Sequence, residues 1–312
     1  MSNKLIVTAA PHITGADTTQ KIMGRVCMAL LPTLVASTII FGLHVLMLTA
    51  VTVLSCVLFE YAWCRLMKKD VCVDDGSAVV TGLLLAFNLP DTLPWWMAVV
   101  GAFIAIIIVK QLFGGLGCNF ANPAIVARIA LSVGFAGRMS QYSFPQSGVD
   151  ALASATPMAV ELTGKTYKAL LLGTYGGVLG ETCTLTLVAG GIYLIVTKVI
   201  SPVIPATYLG TVALLSVVAG KDPVGQLLGG GLMLGAIFMA TDYVTSPTTR
   251  KGKFVFGIGL GVITCAIRFL GTAPEGVSYA ILLMNLLVPY IEDHTRQDRL
   301  GISKPKRGGA CK

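Results

Sequence analysis

Residues 82–92 read Gly-Leu-Leu-Leu-Ala-Phe-Asn-Leu-Pro-Asp-Thr and close an apolar run that opens at Ser77. A helix needs roughly 20 residues to cross the hydrocarbon of a bilayer, so the run 77–90 is too short to cross comfortably, and it stops at an amide followed by a proline. It therefore reads as a broken or half helix, tolerated at membrane depth only where protein or a cavity supplies partners for the freed backbone groups. A second pentad, Gly231-Leu-Met-Leu-Gly235, echoes Gly82-Leu-Leu-Leu-Ala86. Each is followed by a proline-containing break bearing hydroxyls or amides, Asn88-Leu-Pro-Asp-Thr92 in one case and Thr245-Ser-Pro-Thr-Thr249 in the other.

Outward from these two breaks, apolar runs bounded by charge, Pro or Gly place spans at 22–42, 43–66, 77–90, 92–112, 121–138, 180–200, 202–220, 224–242, 254–272 and 276–292. Composition agrees. The chain of 312 residues is 54% hydrophobic and only 12% charged, against roughly 25% charged in a soluble domain, and its mean hydropathy is +0.78. It cannot cover itself with a polar surface, which excludes a soluble enzyme. The fold class expected is an all-α integral membrane protein of about ten transmembrane helices, forming one membrane domain over 1–312.

Counted with the N-terminus inside, the inner segments hold 17 of the 23 Lys and Arg residues and the outer segments 5, with Arg128 inside a span. This bias places both termini in the cytoplasm. It also explains the net charge of +8 as helix orientation, so no nucleic acid partner is expected. On this topology the third span runs outward and the eighth inward, the pattern of two inverted five-helix repeats whose sites are built at broken helices. The expected layout is a first repeat over 1–138, an outer loop over 139–179, a second repeat over 180–292 and a cytoplasmic tail over 293–312. No signal peptide is read in Met1–Gln20, which lacks an apolar core before a cleavage site. The eight cysteines contain no CxxC, so neither an iron–sulfur cluster nor another metal site within the chain is expected. Among ionisable residues in apolar surroundings, Arg128 is the best internal candidate. Glu60, Glu181 and Arg268 fall near span ends, within reach of water, and Trp95 and Trp96 read as interfacial anchors.

The outer loop contains Asp150-Ala-Leu-Ala-Ser154-Ala155-Thr156-Pro157. Pro157 steers Thr156 away from helical angles, so its hydroxyl stands on extended backbone among small neighbours, either as a solvated turn or as a point of attachment. The segment resembles the Asp-x-x-(Ser/Thr)-Gly-Ala-Thr motif at which FMN is joined through its phosphate to the last threonine in the D subunit of the Rnf complex and in the related B subunit of the sodium-pumping NADH:quinone oxidoreductase. Ala153 and Ser154 depart from the motif, whereas Asp150, Ala155 and Thr156 keep it. Two further blocks carry the same resemblance: Gly82 to Trp96 running on to Phe113-Gly-Gly-Leu-Gly-Cys-Asn-Phe-Ala-Asn-Pro123, and Phe238-Met-Ala-Thr-Asp-Tyr-Val-Thr-Ser-Pro-Thr-Thr-Arg-Lys-Gly252. The likeness spans nearly the whole chain, and the compact N-terminal region looks more like the Rnf member.

The resemblance implies a membrane flavoprotein that carries electrons in an ion-translocating ferredoxin:NAD⁺ oxidoreductase, with redox steps coupled to Na⁺ or H⁺ movement. It implies covalent FMN on Thr156, a second non-covalent flavin such as riboflavin deeper in the bundle, and the bacterial plasma membrane as location. The implied partners are membrane subunits A and E, flavoprotein G, NAD-binding C and iron–sulfur B. The nicotinamide and ferredoxin would bind those partners, because this chain has no GxGxxG after a strand and no cluster ligands. Asn119 and Asn122 either hydrogen-bond a flavin edge or cap the fifth helix. Asp242, Thr245, Ser246 and Thr248 bind a flavin or an ion, or stand beside the anchoring charges Arg250, Lys251 and Lys253. The inverted plan also resembles urea transporters, so a small-solute transporter or channel is the competing function.

Overall fold

The computed structural model describes residues 17–68, 73–142, 171, 173, 177–180, 183–271 and 276–295. These form an all-helical bundle. In chain order the helices are α1 (Thr19–Phe41), α2 (Leu43–Leu66), α3 (Ser77–Phe87), α4 (Trp95–Gln111), α5 (Pro123–Gly134), α6 (Ala136–Met139), α7 (Thr184–Val196), α8 (Val203–Val218), α9 (Pro223–Leu228), α10 (Leu232–Leu234), α11 (Arg250–Leu270) and α12 (Gly276–Thr295). Two of them change pitch: α4 continues as a π-helix over Ile104–Gln111, and α10 continues as one over Gly235–Met239. Among the described residues three helices, Thr19–Phe41, Leu43–Leu66 and Arg250–Leu270, are long and apolar enough to cross a membrane.

The burial pattern is that of a bundle in an apolar solvent. Large apolar side chains such as Ile39, Leu66, Val218 and Leu270 point outward, while hydroxyls lie inside. Thr52 and Ser216 return their protons to carbonyls one turn back, at 2.7 Å, which satisfies each hydroxyl without a second helix. Small residues let helices close on one another. Gly190 of α7 faces the Ala29 carbonyl of α1, and Gly257 and Gly261 of α11 face Thr207 and Thr211 of α8.

Both expected breaks are present, with one correction. The third span ends as read, α3 stopping at Phe87. The eighth span, read as continuous over 224–242, is two pieces: α9 ends at Leu228, and Gly230 and Gly231 take positive φ of 65° before α10 begins. That backbone is readily adopted only by glycine, and three successive glycines, 229–231, do not lower apolarity enough to reveal the break. The two half-helices start alike, α3 after left-handed Gly76 and α10 after left-handed Gly231. Gly231 is thus itself the cap whereas Gly82 lies within its helix, so the pentad echo does not set their register. In each half the second long helix packs against the half-helix segment and the following helix, α2 on α3 and α4, α8 on the π segment of α10 and on α11. At the far end α12 runs through Thr295, so residues 293–295 of the expected tail are helical.

The freed end of α3 is satisfied by distant backbone. Gly180 N–H donates to the Phe87 carbonyl at 2.7 Å, Leu179 N–H to Leu89 at 3.2 Å, and Ser37 Oγ holds the Leu179 carbonyl at 2.8 Å. Gly180 is wedged between the two half-helices: a Cβ there would stand 2.7 Å from Leu234 and 2.8 Å from the Phe87 carbonyl oxygen. Gly180→Ala should therefore cost about 1–3 kcal/mol, read as a lowered melting temperature of the detergent-solubilised chain; an unchanged melting temperature would contradict this packing.

Candidate functional site

At one end of the bundle, where α1, α3 and α5 begin and α4, α7 and α10 end, lies a cleft with about 800 Å³ of empty space, part of it open to solvent. Its walls are apolar side chains, among them Val80, Leu84, Leu194 and Phe238, interrupted by Ser77, Thr81, Lys110, Asn119, Asn122 and Asp242. Both halves of the chain contribute. A mostly apolar cleft with a few converging polar groups suits an organic ligand with a polar edge.

Three sequence-selected residues meet here. Asn122 caps α5, its Oδ1 accepting from Ala124 N–H at 3.1 Å and Ile125 N–H at 3.4 Å, with Pro123 in the first turn. Its own N–H is held by the amide oxygen of Asn285, whose nitrogen donates to the Thr245 and Ile281 carbonyls at 3.1 and 3.2 Å when the amide is assigned from its neighbours. Asn119 donates to the Ala121 carbonyl at 3.1 Å and lines the cleft from the loop that follows α4, where Gly114, Gly115 and Gly117 all have positive φ. Asp242 is half-buried and accepts the Thr245 hydroxyl at 3.1 Å. Thr245 thus stands behind Asp242, not in the wall. Ser246 is buried away from the cleft. Thr248 is turned to α12, giving both its N–H and its hydroxyl to Glu292 Oε1 at 2.8 Å. Asp150, Ser154, Ala155 and Thr156 lie outside the described residues, as does Glu181.

One polar network behind the cleft is not marked by any motif. Lys110 Nζ lies 2.7 Å from Glu60 Oε1 and donates to Ser77 Oγ at 2.6 Å; Gln111 Nε2 donates to the same Glu60 oxygen at 2.8 Å. Ser77 in turn gives its hydroxyl to Asp75 at 2.6 Å. Glu60 does not reach water: it and Lys110 are each 2% exposed. The π pitch over Ile104–Gln111 carries Lys110 and Gln111 inward, and such segments gather at functional positions. The signal in the sequence was a lone carboxylate within Cys56-Val-Leu-Phe-Glu60 and a lysine closing Ile104 to Val109, each expensive in apolar surroundings without a partner.

The two buried arginines hold the breaks. Arg128 of α5 is interior as expected, 4% exposed, and donates to Asn88 Oδ1 at 2.8 Å, while Asn88 Nδ2 gives its proton to the Leu84 carbonyl at 2.6 Å. Arg268, expected to reach water, is instead 9% exposed. It donates to the carbonyls of Gln226, Gly229 and Gly230 at 2.6, 3.0 and 3.2 Å, the orphaned acceptors where α9 ends.

Interrupted helices capped by other backbone, buried charges joined inside the bundle and an apolar exterior define a helical membrane protein with a cleft at one end. The chain belongs to the NQR2, RnfD, RnfE family, whose model matches residues 6–301. It is 46% identical over 310 residues to the D subunit of the Na⁺-translocating ferredoxin:NAD⁺ oxidoreductase complex of Acetobacterium woodii, covering 97% of each chain. It is 41% identical over 320 residues to the D subunit of the proton-translocating ferredoxin:NAD⁺ oxidoreductase complex of Clostridium ljungdahlii, covering 96% of this chain and 97% of that one. It is also 36% identical over 340 residues to the D subunit of the ion-translocating oxidoreductase complex of Alcanivorax borkumensis, covering 97% of this chain and 99% of the relative. The resemblance read from the sequence is borne out.

Proposed function

We propose that this chain is an electron-carrying membrane subunit of an ion-translocating ferredoxin:NAD⁺ oxidoreductase, with FMN joined through its phosphate to Thr156. The observation that carries the reading is the segment Asp150 to Thr156 in a chain closely similar over its whole length to the D subunits of such complexes. A phosphoester leaves the isoalloxazine ring free, so the protein tunes it through hydrogen bonds and nearby charge. Its partners in this reading are membrane subunits A and E, flavoprotein G, NAD-binding C and iron–sulfur B, in a bacterial plasma membrane with both termini cytoplasmic. The two relatives differ in the ion moved, sodium in one and protons in the other, so the proposal extends to ion coupling and not to the ion.

The cleft is where the second, non-covalent flavin of this reading belongs. Its wall fits the group: Val80, Leu84 and Phe238 offer apolar surface, and Asn119, Asp242 and Lys110 offer donors and acceptors for a polar edge, while the Asn122 side chain stays committed to the cap of α5. When bound there, the flavin supplies a one-electron carrier. What the chain's own residues do is hold the ring, exclude water and set the local charge. The matching half-helix caps and helix pairings of the two halves support the two inverted five-helix repeats and a urea-transporter-like plan. A solute channel of the same plan is the competing outcome.

In a host with an active flavin transferase, the chain should give a fluorescent band on a denaturing gel, and Thr156→Ala should give none. A dark wild-type band together with passage of a small solute through reconstituted vesicles would favour the channel.

A further inference from the structure

A buried ion pair is weak evidence for stability, since desolvation offsets most of its attraction, and an ionisable pair at membrane depth is a functional candidate. The pair Glu60–Lys110 is also oriented: Lys110 lines the cleft and Glu60 does not. Behind the ammonium, Glu60 Oε1 and Ser77 Oγ fix its position at 2.7 and 2.6 Å. That uses two of its three protons and leaves one donor. Glu60 Oε1 also takes the Gln111 amide, while its other oxygen, buried, has no partner among the described residues. The first turn of α3, with Ser77, Val80 and Thr81 in the same wall, presents its positive dipole end in the same sense. Against these stands, among the described residues, one carboxylate facing the cleft, Asp242 from the second half of the chain.

We propose that Lys110, held by Glu60, sets the reduction potential of the flavin in this cleft by keeping a fixed positive charge in its wall. The inference rests on the reading of a flavin there. Lys110 exchanges no electron and no proton; it acts through its field, which is little screened because the pair is out of water. Negative charge arriving in the cleft is favoured by Lys110 and disfavoured by Glu60 behind it. Lys110 is therefore a positioning and tuning residue, and Glu60 the group that orients it.

The test is a redox titration of the full-length chain in detergent, in the Thr156→Ala background so that only non-covalent flavin is observed. Lys110→Met should lower the reduced-to-oxidised ratio at a fixed potential by about tenfold or more, which is about 59 mV for a one-electron couple. Lys110→Arg should restore most of it, and Glu60→Gln should move the potential the opposite way. Should Lys110→Met shed the flavin, Lys110→Arg and Glu60→Gln decide by the same signs. Unchanged potentials, or shifts of Lys110→Met and Glu60→Gln in one direction, overturn the proposal while leaving the flavin in the cleft. Thr156→Ala protein that carries no flavin at all overturns the reading of the cleft, and the tuning role with it.

Discussion

A strain whose only copy of the subunit carries Thr156→Ala is expected to lose ferredoxin-dependent reduction of NAD⁺ by its membranes, down to the level of a strain without the subunit, while the protein remains inserted and assembled. The Thr156 hydroxyl is the group that the substitution takes from the attachment chemistry, and the sequence reading assigns it to the outer loop expected over 139–179. Insertion and assembly are read separately, from the amount of subunit in the membrane and its recovery with the complex. Loss of function would thus reflect loss of a carrier and not of the fold. Thr156→Ser, which keeps a hydroxyl able to form the same phosphoester, should recover part of the flow. Wild-type rates in Thr156→Ala membranes would refute the electron-carrier reading.

The largest structural effect is expected from Arg268→Met. The substitution keeps the apolar stem but removes the guanidinium donors from the break between α9 and α10, where the Gln226, Gly229 and Gly230 carbonyls now accept from one side chain. Hydrogen bonds to a charged group are worth roughly 1.5–3 kcal/mol each, and buried acceptors left empty carry their own desolvation cost. A loss on the order of 3 kcal/mol or more follows, visible as a large fall in the melting temperature of the solubilised protein. Arg268→Lys should restore only part, because a lysine ammonium lacks the planar fork that reaches several carbonyls at once. If Arg268→Met melts with the wild type, the break is held by something else.

Hydropathy made most of the helices legible. The expected span 43–66 coincides with α2, and the Asn-Leu-Pro sequence located the end of α3, because a proline after an amide leaves backbone groups that a helix cannot use. Asn122-Pro123 was legible as a cap for a similar reason. What composition cannot show is direction. Gly229 to Gly231 kept the eighth run apolar while Gly230 and Gly231 turned its backbone left-handed, so the break was hidden. Lys110 counted as one more orienting charge until the π pitch of α4 turned it onto Glu60. The same limit applies to the cleft: Asn119 and Asn122 in one block and Asp242 in another were each selected, yet only the packing of α1, α3, α5 and α10 makes them neighbours of one space. The carboxylates and cations that a sequence scores as exceptions are, in the bundle, its internal wiring.

Modification of Thr156 is the central claim, and the intact mass of the chain purified from a host with an active flavin transferase tests it directly. A mass greater than that of the bare polypeptide by one phosphoester-linked FMN, mapped by fragmentation to the peptide with Thr156 and absent in Thr156→Ala, is the result expected. A mass equal to that of the unmodified residues would contradict the covalent carrier and leave only the membrane bundle and its cleft.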